Sequence, residues 1–220
     1  MKKAKVNRLL GLIGIFALSF STQMAHAQDS DDEMRQFFGG LSAGSNFSQV
    51  TGDYMEGWNR FGLNVSGFTY FKLAEQFAGC FEMSYSQKGS RPKQSELPYP
   101  SRSGTKFFSK AGISLPYAEV PLTFNYFYKG ESHIGAGLSY GRLFNAKEWY
   151  DTIRTEVLYP FKKGDVSFVL NGNIRATKHW YVNFRLTHSL LNIRDKENML
   201  VPHRTLQQNK LLTLRALYLF

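Results

Sequence analysis

The chain has 220 residues, 43% hydrophobic and 15% aromatic, with a formal charge of +10 and a mean hydropathy of −0.32. No continuous apolar stretch reaches the ~18 residues a bilayer-crossing helix needs, which excludes a helical membrane protein. Its single cysteine, Cys80, excludes an internal disulfide, so the fold must rest on a full core or on a solvent other than water.

At the N-terminus, Lys2, Lys3, Lys5 and Arg8 precede an apolar run over residues 9–20, and Ala25 and Ala27 flank His26. A positive segment, a short apolar run and a small-x-small site describe a secretory signal peptide over residues 1–27. A helix over 9–20 would span only about 18 Å against about 30 Å of hydrocarbon, too short to cross. No cysteine follows the run, so no lipoprotein anchor is expected. Residues 28–37, with Asp29, Asp31, Asp32 and Glu33, are expected to form a flexible acidic tail. Basic residues still outnumber acidic ones beyond the signal. For an exported chain that balance suits lipopolysaccharide phosphates rather than nucleic acid.

Eight segments with a period of two follow, over residues 38–49, 60–72, 77–88, 117–128, 133–144, 165–176, 180–191 and 210–220. In the third, Phe77, Gly79, Phe81, Met83 and Tyr85 share one face, and Ala78, Cys80, Glu82, Ser84 and Ser86 the other. The seventh sets Trp180, Val182, Phe184 and Leu186 against Tyr181, Asn183, Arg185 and Thr187. The last puts Leu212, Leu214, Ala216, Tyr218 and Phe220 on one face, long enough for a tilted strand crossing a bilayer. Its other face carries Leu211, Leu217 and Leu219 around Arg215. No segment shows helical spacing.

The connections are about 10, 4, 28, 4, 20, 3 and 18 residues long, so long and short alternate throughout. Outer-membrane barrels have an even strand number, short periplasmic turns and longer outer loops. The expectation is therefore an all-β fold: an eight-stranded antiparallel transmembrane β-barrel of the outer-membrane type over residues 38–220, with both termini periplasmic. A soluble sandwich has no reason to sort its loops this way; a soluble periplasmic lipocalin-like binding barrel is an alternative reading. Aromatic residues gather near the expected strand ends, as in the two interfacial girdles of such barrels. Phe37, Phe38, Phe71, Phe77, Tyr126, Tyr128, Trp180, Tyr181, Tyr218 and Phe220 fall at one end, and Phe61, Tyr85, Tyr117, Phe144 and Tyr159 at the other. A final strand bearing Tyr218 and Phe220 resembles the signal read by the barrel assembly machinery.

Several stretches resemble the PorT-type outer-membrane β-barrels of Bacteroidetes. They are the Gly-rich first strand from Gly40 to Ser48, Glu82-Met-Ser-Tyr-Ser-Gln-Lys-Gly89, Tyr117-Ala-Glu-Val-Pro-Leu122 and Gly135-Ala-Gly-Leu-Ser-Tyr-Gly141. The resemblance implies the same barrel, in the outer membrane of a Gram-negative cell, and for one family member a part in protein secretion.

A barrel of eight strands is just wide enough for side chains to fill it. Strand parity directs Glu82, Glu119, Arg175, Arg185 and Arg215 inward, and charges in so narrow a lumen must pair. The expectation is a salt-bridge network that plugs the barrel; catalytic carboxylates are the rival reading. A lipid A-modifying enzyme would need a positioned His and Ser. His133, His179, His188 and His203 show no triad spacing, and His188 and Ser189 are strand neighbours that point to opposite faces. No catalytic residue, metal-ligand cluster, nucleotide loop or cofactor is expected. The longest loop, residues 89–116, carries Arg91, Lys93, Arg102, Lys106 and Lys110 against Glu96 alone, and suits an acidic partner or lipopolysaccharide phosphates.

Overall fold

The computed structural model describes residues 36–53, 55, 57–92, 97–101, 104–108, 111–128, 132–150, 160–194 and 207–220. The expected signal peptide, the acidic tail up to residue 35 and Tyr159 lie outside the described residues. The rest belongs to one unit, Gln36–Phe220.

The period-two segments fold as strands because each places apolar residues on one face and smaller polar residues on the other. They are β1 (Phe37–Thr51), β2 (Arg60–Lys72), β3 (Phe77–Ser90), β6 (Ala111–Tyr128), β7 (Ser132–Leu143), β9 (Gly164–Arg175), β10 (Trp180–Ser189) and β11 (Gln208–Leu219). Antiparallel pairing runs β1-β2-β3-β6-β7-β9-β10-β11 and returns to β1, where Gly40 faces Leu219 and Thr51 faces Gln208. The barrel is closed with eight strands, and no helix occurs among the described residues. Closure pairs every wall strand on both sides, as hydrocarbon demands.

Three further strands were not expected. β4 (Leu97–Ser101) and β5 (Gly104–Phe108) form a separate hairpin, and β8 (Lys147–Tyr150) pairs with the start of β6. The wall between β3 and β6 also runs to Ser90 opposite Ile113. The stretch 89–116 is therefore not one loop. Its two ends are strand, and Pro116, which cannot donate a ladder hydrogen bond, sits inside β6 rather than ahead of it.

The short connections 73–76 and 176–179, and the facing strand ends Tyr128 and Ser132, share a rim with both ends of the barrel chain. There the Phe220 amide donates to the Gly39 carbonyl (3.0 Å). The described residues of the long connections lie at the opposite rim. Between the rims the outward face is apolar: Leu212, Leu186, Leu170, Phe168, Leu138, Leu122 and Phe81 follow one another across the register, all exposed. Outward rings pack against one another at both rims, mostly edge to face. Trp180 lies 5.1 Å from Tyr218 and Tyr218 5.8 Å from Phe220, while Phe47–Phe61 (4.9 Å) and Tyr85–Phe144 (6.5 Å) pair at the long-loop side. Three residues assigned to these girdles instead face the interior. Phe38, Tyr181 and Tyr117 have the parity of the lumen, and nearness to a strand end does not override parity.

Candidate functional site: a charge-paired lumen

Two apolar clusters close the interior at its ends. At the short-turn rim, Phe68, Tyr70, Ala78, Cys80, Tyr181 and Leu217 pack with Phe38 and Phe127. At the long-loop rim, Val50, Met55, Ile113, Leu115, Tyr117, Leu143, Phe161 and Ile193 form the second. Between them the lumen is polar and carries two separate ionic clusters.

The first centres on Glu82 of β3, which is 2% exposed. Arg185 of β10 meets it through both terminal nitrogens, at 3.1 Å to Oε1 and 2.6 Å to Oε2, and Arg215 of β11 donates to Oε1 at 2.6 Å. A carboxylate gripped by a planar fork is the strongest form of this pair and the most directional. Arg215 also donates through Nε to Asn183 Oδ1 (2.9 Å) and through Nη1 to Asn64 Oδ1 (3.2 Å). Gly44 faces Arg215 across β1 and β11. A Cβ there would run into the Leu214 carbonyl oxygen and into Cα and Cγ of Arg215, so only glycine lets β1 and β11 approach this closely at Arg215.

The second centres on Lys88, also on β3 and 0% exposed. Its Nζ lies 2.6 Å from Glu119 Oε1 of β6 and 3.1 Å from Asp165 Oδ2 of β9. Asp165 Oδ2 also accepts from Ser189 Oγ (2.9 Å) and Asn209 Nδ2 (3.1 Å). The ammonium lies 4.7 Å from the centre of the Tyr117 ring, which joins this cluster to the apolar layer beyond it. Asn46 stands between the clusters, donating to Ser86 Oγ (2.9 Å) and accepting from Thr213 Oγ1 (2.8 Å). A cavity of about 10 Å³, close to the room one water needs, touches Glu119 of one cluster and Arg185 of the other. A third buried pair, Arg194 with Glu148, sits at the long-loop end with the Arg194 guanidinium 3.7 Å from the Phe161 ring centre.

Of the residues assigned to the lumen from sequence, Glu82, Arg185 and Arg215 meet one another. Glu119 is inward but pairs with Lys88, not with an arginine. Arg175 requires a correction. It has the lumen's parity but lies at the end of β9, where the wall stops, and it is exposed, with Nε donating to the Thr177 carbonyl (3.2 Å). Lys88 and Asp165 were missed. Both have inward parity, which was the available signal, but both stand at the margins of the expected segments.

The other candidates are scattered. His133 is buried in the short-turn cluster, with Nε2 2.8 Å from the Tyr70 hydroxyl and its ring stacked 4.3 Å from Phe127. His179 is exposed at the rim, its Nδ1 3.1 Å from the Leu219 carbonyl oxygen. Ser189 is buried at the lumen, while His188 has the outward parity. Of the basic stretch, Arg91 is exposed and Lys106 lies in β5; Lys93, Arg102 and Lys110 lie outside the described residues, as does His203.

No curated protein matches the chain. Among solved structures, Ail, the attachment invasion locus protein of Yersinia pestis, crystallised with the heparin analogue sucrose octasulfate, aligns at a TM-score of 0.48 and 10% identity, covering 84% of this chain and 99% of its own. Neisserial surface protein A aligns at 0.46 and 8% identity, covering 84% and 97%. The outer membrane protease OmpT of Escherichia coli aligns at 0.35 and 10% identity, covering 88% and 99%. The sequence model of the family described as "Outer membrane protein beta-barrel domain" matches residues 26–195, most of the chain. The protein belongs to that outer-membrane β-barrel family and is an integral protein of the outer membrane.

Proposed function

We propose that this is a non-enzymatic, non-conducting barrel, structural or secretion-associated in role, that works through its long-loop side. The observation that carries the reading is the filled lumen. Two layers of paired charge lie between two apolar clusters, and the cavity found between those layers has room for about one water molecule. On this reading both termini and the short turns are periplasmic. Tyr218 and Phe220 are the signal read by the barrel assembly machinery, and Arg91, Lys93, Arg102, Lys106 and Lys110 meet lipopolysaccharide phosphates or an acidic partner outside. The likeness to PorT-type barrels supports a link to secretion components.

A lipid A-modifying enzyme is disfavoured by the histidines: His133 is held in an apolar cluster and His188 faces away from Ser189. A periplasmic lipocalin-like barrel is disfavoured by the outward apolar belt, which only a bilayer would cover.

Refolded into a planar bilayer, the barrel should show no steady ion conductance while still migrating differently before and after boiling. A stable open channel would overturn the reading. Unchanged lipid A masses in a deletion strain are the expected companion result, and a lost modification would establish the enzyme instead. Neutralising the five basic residues should weaken co-purification of lipopolysaccharide.

A further inference from the structure

Each of the two central ionic clusters is out of balance. Two guanidiniums share Glu82, and two carboxylates share Lys88. The first cluster carries one surplus positive charge and the second one surplus negative charge. Glu82, Arg185, Arg215, Lys88, Glu119 and Asp165 are each at most 7% exposed, so water offsets little of either surplus. A different assignment leaves no surplus at all: Arg215 with Glu82, Arg185 with Glu119, and Lys88 with Asp165. Uncompensated charge is the costly part of a buried cluster, so this second pairing competes with the observed one.

The geometry permits the exchange and singles out the group that moves. Ser84 lies opposite Glu119, which makes Glu119 the diagonal neighbour of Glu82 across β3 and β6, about 7–8 Å away. Arg185 and Glu119 both line the cavity of about 10 Å³ between the clusters. Pro121 lines it too and has no N–H for the ladder, and the pairing of β3 with β6 skips Glu82 and Met83 at that height. The two arginines are held differently. Arg215 also donates to Asn183, Asn64 and Ser66. Arg185 has Glu82 as its one acceptor among the described residues, and its Nε is buried without a partner. Ser139, on the wall of the same cavity, has a hydroxyl that is buried and equally unpartnered.

We infer that Arg185 is the movable arm of a two-state lumen, exchanging Glu82 for Glu119. The fork on Glu82 is the major state, because two charge-assisted hydrogen bonds hold it. The exchanged state is the minor one, and it places the guanidinium in the cavity where the Ser139 hydroxyl stands. Ser84 lies beyond Glu82 toward the long-loop rim, so the exchange moves one positive charge toward that side. It also ties β10 to β6 instead of β3. The lumen stays filled in both states, so the exchange needs no open channel.

The test is NMR relaxation dispersion on the mature barrel in nanodiscs, with nitrogen-15 in the arginine side chains. In the wild type the Arg185 Nε signal should show exchange on the microsecond to millisecond scale with a minor state of on the order of 1%, and the Arg215 Nε signal should not. Glu119→Gln removes the charge of the second acceptor and should abolish the exchange. Lys88→Met strands Glu119 without a cation and should raise the minor state at least about tenfold, read as a displaced Arg185 signal. Adding Glu119→Gln to Lys88→Met should return that signal to its wild-type place, which a mere loss of the lysine charge would not do. An Arg185 that only braces the lumen would show one signal, without exchange. The inference fails if the wild type shows no exchange at Arg185, if exchange survives Glu119→Gln, or if Lys88→Met leaves the signal in place. Should Lys88→Met not fold, the wild type and Glu119→Gln decide the matter, since Glu119→Gln leaves Lys88 and Asp165 as a neutral pair.

Discussion

The two ionic clusters of the lumen invert one another. Around Glu82 one carboxylate holds two guanidiniums, and around Lys88 one ammonium holds two carboxylates, both centres lying on the inward face of β3. One cluster carries a formal excess of positive charge and the other an equal excess of negative charge. Their supports differ with their chemistry. The arginines fix Glu82 by bidentate geometry, and their neutral partners, Asn64, Asn183 and Ser66, accept from Arg215 rather than donate to Glu82. Lysine is a point charge without a fork, and Asp165 is held in place by two hydroxyls and an amide of its own, from Ser167, Ser189 and Asn209. A guanidinium cluster therefore depends on its central acid, while a lysine cluster shares the load with neutral donors.

That comparison breaks first at Glu82. Glu82→Gln leaves two buried guanidiniums facing each other with no counter-charge, and should cost about 3–5 kcal/mol, read as a lower urea midpoint for the barrel unfolding from lipid vesicles. A barrel as stable as wild type would remove the charge-pairing account of the lumen. Lys88→Met leaves Glu119 and Asp165 without their cation. It should cost less than Glu82→Gln, about 2–4 kcal/mol in the same titration, because the donors to Asp165 remain. An equal or larger loss would show that the neutral donors contribute nothing. Arg185→Met is milder still. It removes two charge-assisted hydrogen bonds but leaves Glu82 and Arg215 as a neutral pair, and should cost about 1.5–3 kcal/mol.

How far the sequence carries this site follows from the same residues. Parity told inside from outside along β3 and β10 because hydrocarbon and a filled lumen impose opposite demands on alternate positions. Hence Glu82, Arg185 and Arg215 were legible. Height along the barrel was not, since it depends on which strands pair and how far. Ser84 lies opposite Glu119, which brings Glu119 within reach of Lys88 rather than an arginine. Lys88 and Asp165 stand at the margins of their segments, where a charged residue reads as solvated. They are buried because β3 and β6 pair on to Ser90 and Ile113, and β7 and β9 on to Arg142 and Gly164. The hairpin of β4 and β5 was hidden by Pro98 and Pro100, which read as loop.

Arg175 makes the sharpest contrast with Arg185, because the two share lumen parity and differ in where the wall ends. Arg185 sits mid-strand and is forced against Glu82; Arg175 lies at the last position of β9 and meets water and a turn carbonyl. Arg175→Ala should therefore shift the unfolding free energy by no more than about 0.5 kcal/mol, against the larger loss expected for Arg185→Met. The measurement is the same urea titration in vesicles, done with and without anionic phospholipid. In zwitterionic lipid a change larger than this would mean that Arg175 takes part in the lumen network after all, and that strand ends do not limit it. A change seen only in anionic lipid would instead assign the residue to the headgroup layer, which its exposure at the strand end allows.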